Sequence, residues 1–173
     1  MSMIEMMIAI TILAVGLAGI MILISSAIAS NNRNKLDTTA SVLSQEVLER
    51  LAAAGVDASA TFTIDDCQSN SLTIDPTGTT TGRGAALSGA NIDFSTATNP
   101  TSGYSIDYKG CSATGTPATY NVRWNIKILQ GTNSQPFQKL ITVSTRQIGA
   151  AGGGPNQLKS FAPPVTLRTV IGR

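Results

Sequence analysis

From Met6 to Ile28 the chain runs without a charge through MMIAITILAVGLAGIMILISSAI. About 20 apolar helical residues span the hydrocarbon core of a bilayer, so this run is long enough to cross one. Glu5 is the only charged side chain between Met1 and Asn32, and the remaining charge lies between Arg33 and Arg173. Beyond Ala60 the chain is rich in Thr, Ser, Gly and Asn, in short alternating stretches parted by turn residues. The pattern predicts an apolar helical segment followed by a polar, β-rich head.

A secretory signal peptide needs a basic n-region, a short apolar core and a small-residue cleavage site. Nothing basic precedes this run, and it is too long. An ordinary membrane anchor accounts for the length but not for Glu5, because an ionisable residue in a membrane segment is costly and usually functional. Ser2-Met3-Ile4-Glu5 also has the S-x-x-E spacing of a capping box, and a first-turn carboxylate meets the positive end of the helix dipole. Neither effect requires burial in lipid.

Composition removes much chemistry. With no histidine there is no His-based triad, imidazole base or His metal site. Two cysteines alone cannot build an all-thiolate zinc site or hold an iron–sulfur cluster. A net charge of +2 is too weak to mark a nucleic-acid surface. Asp65, Asp66, Asp75, Asp93 and Asp107 fall in strand-end contexts that read as turn initiation, without EF-hand spacing. No catalytic residue, metal site or cofactor is expected, and the chain is not read as an enzyme. The first aromatic residue is Phe62, so the helix offers no aromatic path for electrons.

After the apolar run, Leu36, Ala40, Leu43, Val47 and Leu51 recur at helical spacing, with Gln45, Glu46, Glu49 and Arg50 largely off that stripe. Gly55 is placed as the C′ stop. One helix from Ser2 to Ala54 would be about 80 Å long, more than a membrane needs, so its second half is expected to pack on the head. Gly16 and Gly19 either weaken the helix locally or permit close helix–helix approach. The division expected is 1–28 for a membrane or filament-core half-helix, 29–55 for an amphipathic half and 56–173 for the head.

In the head, Thr61–Asp65, Ser71–Asp75, Asn91–Ser95 and Tyr104–Tyr108 read as short strands. The clearest strand is Tyr120–Leu129, which sets Tyr120, Val122, Trp124, Ile126 and Ile128 against Asn121, Arg123, Asn125 and Lys127. Its expected partner is Phe137–Ile148, through the connection Gln130–Pro136, giving an antiparallel hairpin with one wet face. The helical stripe is expected to cover the apolar face. Val165–Ile171 adds a final strand after a flexible Gly149–Pro155 stretch. Cys67 and Cys111 would form a disulfide if the head lies outside the cytoplasm; two free thiols are the alternative. The Ser/Thr-rich stretches Thr77–Thr81, Ser95–Ser102 and Ser112–Thr119 read as solvated loops or O-glycan carriers.

The segment Met1-Ser2-Met3-Ile4-Glu5-Met6-Met7-Ile8-Ala9-Ile10-Thr11-Ile12-Leu13 resembles the processed amino terminus of a type IV pilin or type II secretion pseudopilin. The continuation to Gly19, and more weakly YNVRWNIKIL with KLITVST, is similar to minor pilins of the PilV kind. Met1 stands where phenylalanine is common, Ile22 where many pilins have proline, and the cysteines lie far from the C-terminus. The resemblance implies an α+β, type IV pilin-like fold with a long N-terminal helix against an antiparallel sheet. It implies N-methylation of Met1 after cleavage by a prepilin peptidase, and residence in the bacterial inner membrane before assembly. Glu5 would then pair with a neighbour's terminal amine in an extracellular filament or periplasmic pseudopilus. The implied partners are further copies, other pilin subunits and the pilus assembly machinery. A minor pilin or pseudopilin in a priming or tip complex is the near alternative; a membrane-tethered adhesin or binding protein that never polymerises is the distant one.

Overall fold

The chain opens on helix α1 (Met3–Ala53), 51 residues in length. The structure, a computed structural model, describes residues 2–95, 101–111, 117–130, 136–148 and 163–172. The Ser2 carbonyl accepts the Glu5 and Met6 N–H groups at 3.0 and 3.3 Å and closes the first turn. The reciprocal side-chain bonds of the expected capping box are not among the hydrogen bonds of the described residues. At the other end Gly55 adopts φ 79°, and its N–H donates to Ala52 at 3.1 Å. That left-handed turn is open to glycine without a Cβ penalty, which is why the helix stops where the pattern predicts.

The chain divides into two compact units, Met1–Leu36 and Asp37–Arg173. The second holds the remainder of α1 and, among the described residues, the strands β1 (Phe62–Asp65), β2 (Ser71–Ile74), β3 (Arg83–Gly84), β4 (Leu87–Ser88), β5 (Asn91–Ile92), β6 (Ser105–Lys109), β7 (Thr119–Gln130), β8 (Pro136–Gln147) and β9 (Val165–Gly172). The layout is α+β. Its main sheet has the order β3-β7-β8-β9, with β6 also pairing on β7, and every ladder is antiparallel. β7 and β8 pair from Tyr120↔Gln147 to Gln130↔Pro136, which is the expected hairpin. The loop between them lies outside the described residues, as do the Gly149–Pro155 stretch and most of the Ser95–Ser102 and Ser112–Thr119 stretches. The Asn91–Ser95 expectation shortens to β5, and β3 and β4 were not foreseen.

Ladder register decides which side chains share a face. Val122, Trp124 and Ile126 of β7 oppose Thr145, Val143 and Ile141 of β8. The second half of α1 lies on this face: Ser44 Oγ donates to Thr145 Oγ1 at 2.7 Å, and the Lys139 ammonium donates to the Gly55 carbonyl at 3.1 Å. Ala40, Leu43, Val47 and Leu51 are buried, Val47 and Leu51 to 0% exposure, while Leu36 is half-buried. Each large stripe residue contributes roughly 1.5–3 kcal/mol by leaving water. Trp124 closes the face, with its indole N–H on the Asp75 carbonyl at 2.9 Å. Gly84, at φ 121°, is required here because a Cβ would stand 2.7 Å from Tyr104 Cδ1.

The other face corrects the sequence expectation of a wet surface. Asn121, Arg123 and Asn125 are buried, and of that set only Lys127 is exposed. The β4–β5 hairpin and Phe94 cover them. Asn125 Nδ2 donates to Ala85 O at 2.8 Å, Arg123 Nη1 donates to Asp93 O at 3.1 Å, and Arg168 donates to the Ala90 carbonyl. Alternation in β7 is intact, but its polar half meets protein carbonyls in place of water.

Candidate functional site: the apolar helix and its carboxylate

Met3–Ile28 of α1 is exposed on every side, and none of the stretch that is long and apolar enough to cross a membrane is buried. Met3, Ile4, Met6, Met7, Ile12, Leu13 and Val15 each expose more than half of their surface. A soluble monomer rarely shows a contiguous apolar patch above a few hundred Å², so this one requires an apolar environment. Two of its hydroxyls are prepared for that. The Thr11 hydroxyl donates to Ile8 O at 2.8 Å and the Ser25 hydroxyl to Met21 O at 2.9 Å. Both hydroxyls thereby take their partners from their own helix, the requirement that lipid imposes on a polar group.

Glu5 sits in the first turn, exposed, with no other carboxylate in its half of the helix. Met1 lies outside the described residues. A Cβ added at Gly16 or Gly19 would meet nothing within 4 Å, so within one copy neither glycine is needed for close packing. Glu5, Gly16 and Gly19 lie along one helix.

The cysteines are brought together. Cys67 and Cys111 form a disulfide with Cα atoms 5.0 Å apart. Cys67 follows β1 in the turn to β2, and Cys111 follows β6. Asp66 shapes that turn: its carboxylate accepts the Gln68 and Asn70 N–H groups at 2.8 Å each, and Asn70 Nδ2 also at 2.8 Å. Burial pushes the Asp66 carboxyl up, but the Asn70 side-chain amide and the backbone donors of Asn70, Gln68 and Lys109 outweigh it and hold it below the usual aspartate value. At Asp93 the Ser95 N–H, at 2.7 Å, leads the same downward shift, helped by the Ser95 hydroxyl.

Two groups escaped the sequence reading. Lys139 is fully buried at 0% exposure; burial pushes its ammonium below the usual lysine range, against the opposing pull of Asp75 and Asp57. Arg123, 1% exposed, lies 4.8 Å from the centroid of the Phe94 ring, as does Arg146. Arg123 Nε also donates to Asn121 Oδ1 at 2.6 Å, and Asn121 in turn donates to Asp107. Alternation alone assigns Arg123 to solvent, whereas it sets Lys139 on the face of Ile141 and Val143. The only available signal was Phe94, the aromatic of the strand expected over Asn91–Ser95.

No family model, no curated protein and no solved structure matches this chain.

Proposed function

We propose that this chain is a structural subunit of a type IV pilus-like filament, held in the bacterial inner membrane by the first half of α1 before assembly. The observation that carries this reading is one exposed carboxylate, Glu5, at the head of an otherwise uncharged apolar first half of α1. Lipid covers that surface before assembly and neighbouring helices cover it afterwards, at roughly 25 cal/mol per Å² removed from water. A carboxylate carried into either environment alone is strongly unfavourable. On this reading a neighbour's α-amine at Met1, free or methylated, is the cation that offsets its desolvation and sets the axial register of an incoming copy. The disulfide fits a head outside the cytoplasm. The head then forms the outer wall, and its loops decide what the filament surface binds.

The test is Glu5→Ala in cells carrying the full gene. The variant is expected to reach the membrane at the wild-type level and to lose the sheared surface fibres seen by negative stain. Wild-type fibre yield from Glu5→Ala would overturn the pairing. Mass spectrometry of the fibre subunit is expected to find a methylated Met1 as its first residue. Extra residues ahead of Met1 would leave a tethered ectodomain as the better account. A minor share of the fibre protein would place the chain in the priming or tip complex.

A further inference from the structure

On the sheet face that carries Asn121, Arg123 and Asn125, two arginines are neighbours. Asn121 stands opposite Arg146 and Arg123 opposite Ser144, so Arg123 and Arg146 meet on the diagonal between β7 and β8. Diagonal neighbours on one face lie about 7–8 Å apart. Both guanidinium groups are 4.8 Å from the centroid of one ring, Phe94. Like charges so placed repel. Burial first and the Arg146 charge second push the Arg123 guanidinium down, against the pull of Asp107 and Asp93.

The acids near this pair are engaged by neutral donors. The Asp93 carboxylate accepts the Ser95 N–H at 2.7 Å and the Ser95 hydroxyl at 2.9 Å, and Asp107 accepts the Asn121 amide. All 10 Asp and Glu residues of the chain lie among the described residues, and the ion pair formed there is Arg50 with Glu46. Among the described residues, then, no carboxylate stands within ion-pair reach of Arg146. Arg123 is held in place, with Nε on Asn121 Oδ1 and Nη1 on the Asp93 carbonyl. Arg146 is half-buried, and its contact is the Phe94 ring. A cation–π contact leaves the planar N–H fork of a guanidinium to an acceptor.

We propose that Arg146, with Arg123 fixed beside it, binds a phosphate group. A phosphate monoester carries about two negative charges near neutral pH, so one ligand offsets both cations. Its oxygens also accept from the arginine fork in the bidentate geometry that guanidinium groups favour. A carboxylate supplies a single charge and leaves part of the repulsion in place. The site lies within the second unit and does not rest on the filament reading, since a tethered ectodomain would carry it equally.

The test is a phosphate titration of the purified full chain in detergent micelles, at about pH 8 where phosphate is mostly dianionic and at constant ionic strength. Thermal unfolding is followed by the fluorescence of the buried Trp124. A ligand that binds only the folded head raises the midpoint with its concentration. Inorganic phosphate is expected to raise it, and acetate at the same ionic strength is not. Arg146→Gln should raise the half-saturating phosphate concentration at least about tenfold. Arg146→Lys, which keeps the charge and loses the fork, should raise it about threefold. Lys127→Gln, at an exposed cation of β7, should leave the titration unchanged. Glycerol 3-phosphate separates the sources: equal or tighter binding assigns the site to a phosphate carried on a larger molecule, weaker binding to the free ion. No response to either phosphate, an equal response to acetate, or an unaltered titration in Arg146→Gln overturns the proposal, as does an equal loss in Lys127→Gln. The response is expected to persist in a Glu5→Ala background, so its failure and that of the filament reading are read separately.

Discussion

Residues 3–28 and 40–51 belong to one continuous helix, yet their side chains meet opposite environments. In the later stretch Leu43, Val47 and Leu51 are buried and Ser44 is hydrogen-bonded to Thr145. In the earlier one the large apolar side chains are exposed throughout. Backbone hydrogen bonding is the same in both, so helix formation does not distinguish them. What differs is the source of stabilisation: a narrow apolar stripe can be covered by one sheet, whereas a helix apolar all round needs surroundings on every side. The first stretch is therefore incomplete without lipid or neighbours, and the second is complete within the chain.

The largest expected effect confines itself to one region. Replacing Cys67 and Cys111 by serine opens a loop of sequence separation 44 and should lower the stability of the head by about 4 kcal/mol in the chain-entropy account. The helical signal of residues 3–28 in micelles should not change. Trp124 is the only tryptophan and is fully buried, so its fluorescence during denaturant unfolding reports the head alone.

Next in size, a matched pair of truncations tests the contrast directly. Leu51→Ala leaves a cavity under the sheet and should cost about 3 kcal/mol, within the usual range for buried leucines. Leu17→Ala removes the same atoms from an exposed site and should move the Trp124 transition by less than about 0.5 kcal/mol. Equal losses at the two positions would erase the distinction between the two stretches.

A smaller effect belongs to the polar contact inside the apolar stripe. Ser44→Ala strands the buried Thr145 hydroxyl and should cost about 1–2 kcal/mol. Combining it with Thr145→Val should recover part of that loss, because no polar group is then left unmet.

The smallest is a pH dependence. Asp66 and Asp93 are held below the usual aspartate value in the fold. Their contribution is present above the unfolded value of about 3.9 and is lost as pH falls through the folded values. The Trp124 transition should therefore weaken on acidification below about pH 4. Asp66→Asn should flatten that limb, and a limb of unchanged slope would show that this turn does not carry it.

Much of the architecture was legible because it rests on periodicity. The 3.6-residue stripe from Ala40 to Leu51, the alternation of Tyr120–Ile128 and the glycine at position 55 each correspond to a local geometric rule, and the structure places each accordingly. Periodicity failed where it reports polarity without partners. Asn121, Arg123 and Asn125 alternate as a solvent face should, yet a hairpin of two-residue strands covers them with carbonyls and the Phe94 ring. Lys139 escaped for another reason, since its spacing from Ile141 and Val143 already sets it on the apolar face. A lysine reads as exposed until something is found to accept its protons, and the Gly55 carbonyl lies 84 positions away in sequence. In the candidate site Glu5 stood out in the sequence as the lone charge of its helix half, while the roles weighed for Gly16 and Gly19 require a second helix.

The sequence by itself determined where the chain is helical, which stretch of that helix is apolar on every side, and which strands alternate, because each depends on spacings within a few residues. Only the tertiary structure decided the strand order, the joining of Cys67 to Cys111, and the burial of Arg123 and Lys139. Those depend on groups tens of residues apart meeting in space, where a carbonyl or an aromatic ring replaces water as the partner of a charge.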